Sequence, residues 1–243
     1  MAHGTPDWGL VGPKSITYGL DDLGEAAVRM GSPHLWDRRG DVLYCTDFRE
    51  GLGIMAYSLA GTGAGVLLVT GHSRHGAYCV NLRAGSDDGL GASIFCELPF
   101  QDPSCVGLEF SFSLDGDTHE MQARVSWWDG AMSHHAGLAY DYLAQELRYL
   151  NVGAGWTVLA AGLPRHICTH PEHTAKLVVD MELGEYVRLL LDELAYDLRG
   201  IPVGAGFLAF PPYWHFSIAH YGVALQNPDS YIDDVIITQN EPR

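Results

Sequence analysis

Two aromatic clusters carry the first chemical signal. Trp127-Trp128 precede an Asp129-Gly130 turn, and Tyr213-Trp214-His215 follow Pro211-Pro212. Exposed indole and phenol rings stack on the apolar faces of sugar rings through large flat contacts. Neighbours on a strand point to opposite faces, so one ring of each pair is expected in a core and the other outside. Histidine is the second signal, with twelve in the chain. His134 and His135 fall in a predicted loop beside the tryptophan pair, and with Tyr142 they are candidates for proton transfer on a glycan. His166, His170 and His173 crowd a connector with Cys168. Imidazole and thiolate together suit zinc, but Pro171 interrupts any helix there and the spacing matches no zinc module. The residues expected to contact a ligand are therefore Trp127, Trp128, His134, His135, Tyr142, Tyr213, Trp214 and His215. No catalytic residue is assigned. The Gly-rich GTGAG at 61–65 lacks the Lys-Ser/Thr of a phosphate loop, and no G-x-S-x-G nucleophile turn occurs.

The elements that must position these side chains read as β-strands. Leu108, Phe110, Phe112 and Leu114 share one parity, with Glu109, Ser111 and Ser113 on the other. From Leu138 to Ile201 short alternations of the same kind are separated by turns such as Gly153-Ala154-Gly155 and Leu183-Gly184. Period two with glycine-centred turns predicts an antiparallel meander. About a dozen such segments, with no long helix after residue 40, predict an all-β, two-sheet antiparallel jelly-roll sandwich. Residues 1–40 read as a short N-terminal arm, with a helical turn after Asp22 and anchoring rings at Trp8 and Trp36. Residues 41–243 form the sandwich domain.

Composition narrows the function classes. Apolar residues make up 47% and charged residues 18% of the 243, enough for a sizeable core. The formal net charge is −16, with lysine only at positions 14 and 176. Such a surface repels polyanions, which argues against nucleic acid and anionic membranes and favours neutral or cationic ligands. No apolar run is long enough to span a bilayer. Without a basic and apolar leader the expectation is cytoplasmic, or extracellular if a signal has been removed. Five cysteines without a CxxC, several inside apolar runs, read as reduced thiols.

Several phrases together resemble the concanavalin A-like lectin/glucanase superfamily, in an uncharacterised bacterial branch. They are Asp47-Phe48-Arg49-Glu50-Gly51, the run Gly76 to Leu82, the hairpin HTAKLVVDMELGEYVRLLLDELAYDL and the closing Tyr231-Ile232-Asp233-Asp234-Val235-Ile236-Ile237. The resemblance spans roughly residues 41 to 240. It implies a scaffold that binds or cleaves carbohydrates, and the fold alone does not decide which. It also implies a structural calcium fastening first and last strands, with Asp47 or Glu50 and Asp233 as oxygen ligands. One departure matters: the E-x-D-x-x-E strand of laminarinase-type glucanases, which sets acid and nucleophile on one face, is missing. Asp180-Met181-Glu182 instead runs straight into the Leu183-Gly184 turn and reads as a hairpin end. The expected function is carbohydrate binding without a recognisable catalytic motif. The alternatives are a glycan-active hydrolase or lyase with other catalytic residues, and a structural module that assembles as a homo-oligomer.

Overall fold

The computed structural model describes residues 40–74, 77–87, 89–99, 103–114, 118–163, 173–223 and 225–243. The predicted arm and His166, Cys168 and His170 of the histidine connector lie outside them. In chain order the strands are β1 (Asp41–Thr46), β2 (Ala56–Leu59), β3 (Gly65–Val69), β4 (Cys79–Arg83), β5 (Gly91–Pro99), β6 (Cys105–Leu114), β7 (Thr118–Trp128) and β8 (Met132–Asp141). They continue as β9 (Glu146–Leu150), β10 (Trp156–Ala161), β11 (His173–Asp180), β12 (Glu185–Leu191), β13 (Leu194–Asp197), β14 (Gly204–Phe207), β15 (Tyr213–Gly222) and β16 (Asp229–Gln239). The expected all-β sandwich is what the chain forms. One sheet has the order β13-β12-β11-β6-β16-β4-β3, with β1 on β16; the other has β10-β9-β8-β7-β15-β5-β2, with β14 on β8.

The core lies between the two central ladders. Val106, Leu108, Phe110, Phe112 and Leu114 of β6 face Met121, Ala123, Val125 and Trp127 of β7, and all are buried. The alternation seen in the sequence is the parity of these strands. The second sheet turns its polar parity outward. The first sheet is buried on both faces across β6 and β11. Its outer side holds Lys176, whose Nζ lies 2.9 Å from Glu241 Oε1 and 3.8 Å from Glu109 Oε2.

One local reading needs correction. The Leu138–Ile201 stretch is not one meander: β8, β9 and β10 belong to the second sheet, whereas β11, β12 and β13 belong to the first. The pattern is the same in both sheets, so periodicity does not reveal the crossing. The Gly61-Thr62-Gly63 turn passes from one sheet to the other, because β2 pairs with β5 and β3 pairs with β4. The described cysteines, Cys45, Cys79, Cys96 and Cys105, are unpaired thiols. Burial pushes Cys79 up to about 12 and Cys96 and Cys105 up to about 11, so these thiols stay protonated and unreactive.

Candidate functional site: the outer face of the second sheet

The outward parity of β7 reads Glu120, Gln122, Arg124, Ser126, Trp128. Registered beside it are His135 and Gly137 on β8, Tyr213, His215, Ser217 and Tyr221 on β15, and Phe95 and Glu97 on β5. These strands enclose a hollow of about 380 Å³ lined by Gln122, Arg124, Ser126, Trp128, His135 and His215, with Phe95, Ser217 and Tyr221 along the far side. A second hollow of about 350 Å³ lies toward β9 and β14, walled by Asn151, Val152, Ala154, Gly204 and Gly206. Arg124 and His135 line both. The two hollows therefore adjoin as a groove on this face, with this pair between them.

One end of the groove is aromatic. Trp128 stacks flat on Tyr213, with centroids 4.4 Å apart and planes 3° from parallel. His135 and His215 meet the indole edge-on, at 5.5 Å and 6.3 Å. Phe210 adds a ring beside Tyr213. The floor is polar. His135 Nδ1 lies 2.9 Å from Ser126 Oγ. Arg124 donates from Nε and Nη2 to Gln122 Oε1, at 3.2 Å and 2.8 Å, and Gln122 in turn contacts Glu120. The guanidinium reaches over Gly137 to the Trp156 ring, 5.4 Å from its centroid. A Cβ at residue 137 would sit 3.2 Å from Arg124 Cγ and 3.3 Å from Trp156 Cη2, so glycine keeps that path open.

The electrostatics follow from burial. Desolvation pushes the His135 imidazolium down, helped by Arg124 and then by His134 and His215. Burial lowers His215 as well, opposed by Glu97, whose Oε1 is 3.7 Å from its Nδ1. Both rings are thus held toward the neutral form. At the margin Arg148 gathers Asp141, Glu146 and Glu120, at 2.8, 2.6 and 3.7 Å.

The eight expected ligand residues are divided by this geometry. Trp128, His135, Tyr213 and His215 lie on the outer face. Trp127 and Trp214 are buried on the inner face and stack at 5.8 Å, with His134 on Trp127 at 5.0 Å. They belong to the core end because strand parity turns each neighbour inward. Tyr142 is 1% exposed beside Tyr140 in the core, so it does not reach the groove. His134 and His135 sit in β8 and not in a loop. Missed from the sequence were Gln122, Arg124, Ser126 and Ser217. The available signal was the outward parity of the segment QARVSWW, an amide, a guanidinium, a hydroxyl and an indole on one face.

The expected calcium ligands have these surroundings. Asp233 is buried and accepts from the Arg74 and Asp234 N–H groups, at 2.8 Å and 2.9 Å. Asp47 pairs with Arg49 at 2.7 Å, and Glu50 is exposed on the turn. Among the described residues no group of three or more His, Cys, Asp or Glu side chains is placed to hold a metal ion. His173, the described member of the histidine connector, is buried with Nδ1 2.8 Å from Asp192 Oδ2.

No protein-family model matches the chain, and no curated protein sequence does. Solved structures match in shape. An alginate lyase, vAL-1, from Chlorella virus aligns over 82% of this chain and 100% of its own, at 8% identity and TM-score 0.54. A prokaryotic β-1,3-1,4-glucanase (lichenase) derived from a mouse hindgut metagenome aligns over 81% and 98%, at 12% identity and TM-score 0.50. At such identities the likeness establishes the fold, a concanavalin A-like sandwich, and nothing of the chemistry.

Proposed function

We propose that the groove on the second sheet binds a saccharide chain. The observation that carries this reading is the pairing of an aromatic wall, Trp128 backed by the stacked Tyr213, with Ser126, Ser217, Gln122 and Arg124 in the lining of the same hollow. A flat ring satisfies the apolar face of a pyranose, while hydroxyls and an amide satisfy its equatorial oxygens. Two solved structures of this shape are named as glycan-active enzymes, which agrees with the reading. A glycan array followed by calorimetry tests it. Micromolar binding of at least one saccharide, weakened about tenfold or more in Trp128→Ala, is expected; a folded protein that binds none refutes it.

His135 favours a second reading, catalysis on the bound glycan. A neutral imidazole with one nitrogen beside Ser126 Oγ and a guanidinium nearby is suited to accept a proton. Hydrolysis by two carboxylates has less support, since none of the described residues lining either hollow is an acid. Depolymerisation by the native chain but not by His135→Ala would establish this reading; unchanged polymer length after long incubation removes it. The alternative of a module that assembles as a homo-oligomer would use exposed side chains such as Tyr57, Leu59, Leu67 and Leu68, and light scattering at micromolar concentration tests it.

A further inference from the structure

Six of the eight described arginines are answered by acids. Arg49, Arg83, Arg148, Arg188, Arg199 and Arg243 each pair with a carboxylate. Arg124 pairs with none among the described residues, although the chain carries a net charge of −16. Its contacts are neutral: the Gln122 amide oxygen, which takes Nε and Nη2, and the Trp156 ring face. A guanidinium has five N–H donors, so the donors of Nη1 are not used by Gln122. Around it the groove has Ser126, His135, Asn151 and Gly204, and no described lining residue of either hollow is a carboxylate. The acids of this face stand at its margins, where Arg148 holds Glu120, Asp141 and Glu146, and His215 faces Glu97.

An oriented cation with no carboxylate paired to it among the described residues, in hollows whose described lining holds no acid, suits an anion supplied by the ligand. From this geometry we infer that the bound saccharide is acidic, and that an internal uronate carboxylate seats on Arg124 with the chain crossing from one hollow to the other. The inference rests on the saccharide reading above and names its substrate class. Three features support it. The planar guanidinium fork matches a planar carboxylate better than it matches a hydroxyl. Gln122 and Trp156 fix the fork before binding, so little ordering cost falls on association. Arg124 lines both hollows, so the charge it reads lies within the chain and not at a terminus. The acidic surface does not oppose this. Exposed charges farther away than the Debye length, ~8 Å at physiological salt, are largely screened, while a half-buried pair is screened much less.

The test uses the whole chain and a panel of uronate hexasaccharides (galacturonate, mannuronate, guluronate and glucuronate-containing), each beside its methyl ester. Esterification removes the charge and keeps the sugar faces. At least one acid form is expected to bind about tenfold or more tightly than its ester. Arg124→Gln should close the gap between acid and ester by weakening the acid form far more than the ester, and Arg124→Lys should restore part of that gap. Melting curves confirm that each variant is folded. Equal affinity of acid and ester, or an acid preference that survives Arg124→Gln, overturns the inference while the saccharide reading stands. Absence of binding to every acid and every ester overturns the inference, and if the glycan array is also blank the saccharide reading falls with it.

Discussion

At the scale of the residue, the sharpest contrast is between neighbours. Trp127 and Trp128 are adjacent, yet one closes the core and the other walls the groove. Truncating them should therefore separate stability from binding. Trp127→Ala removes a 7%-exposed ring stacked between Trp214 and His134 and should cost ~3–5 kcal/mol in a denaturant titration. Trp128→Ala should cost far less stability and most of the affinity. The histidines add a pH signature. His135 and His215 both have folded values pushed below the ordinary 6.5, so the unfolded chain takes up protons first as pH falls. Their contribution is complete above about pH 6.5 and lost as pH drops toward the folded values. The groups facing them are Arg124, His134, Ser126 and Glu97, and only Glu97 opposes the shift. The melting temperature should fall from pH 7 to pH 5.5, and His135→Asn should shallow that fall; an unchanged slope would contradict the assignment.

At the scale of the element, much was legible and the gaps have a physical cause. Strand β6 was readable outright, because four large apolar residues alternate with small or polar ones over ten residues. The Trp pairs announced their opposed faces for the same reason. Which sheet a strand joins was not readable: β10 and β11 carry similar patterns and lie in different sheets. Arg124 was missed because one arginine within an alternating strand looks like ordinary outward polarity. Its importance arises from what faces it across four other strands. The C-terminal tail is polar in sequence, and in the structure it is a buried tie. Glu241 is 4% exposed, with Oε1 2.9 Å from Lys176 Nζ and Oε2 2.6 Å from Arg188 Nη2, and Arg243 binds Asp180 and Glu182. Removing one member of a buried ionic set costs ~3–5 kcal/mol. Glu241→Ala should lower stability by about that much and leave saccharide affinity intact, checked by chemical denaturation and calorimetry; a loss confined to affinity would contradict this division of labour.

At the scale of the whole molecule, the two sheets have different tasks. The first is buried on both faces through β6 and β11 and holds the tail, so it serves as the support. The second leaves its polar face open and collects rings, hydroxyls and Arg124 from neighbouring strands into one groove. The central claim is that a saccharide occupies that groove. Its most direct measurement is an NMR titration of the labelled chain with an oligosaccharide that binds. The account predicts shifts along the outward positions of β7, β8 and β15, with the Trp128 indole N–H moving and those of Trp127 and Trp214 nearly still. Shifts that gather instead on the first sheet or along β2 and β3, with Trp128 unmoved, would contradict it.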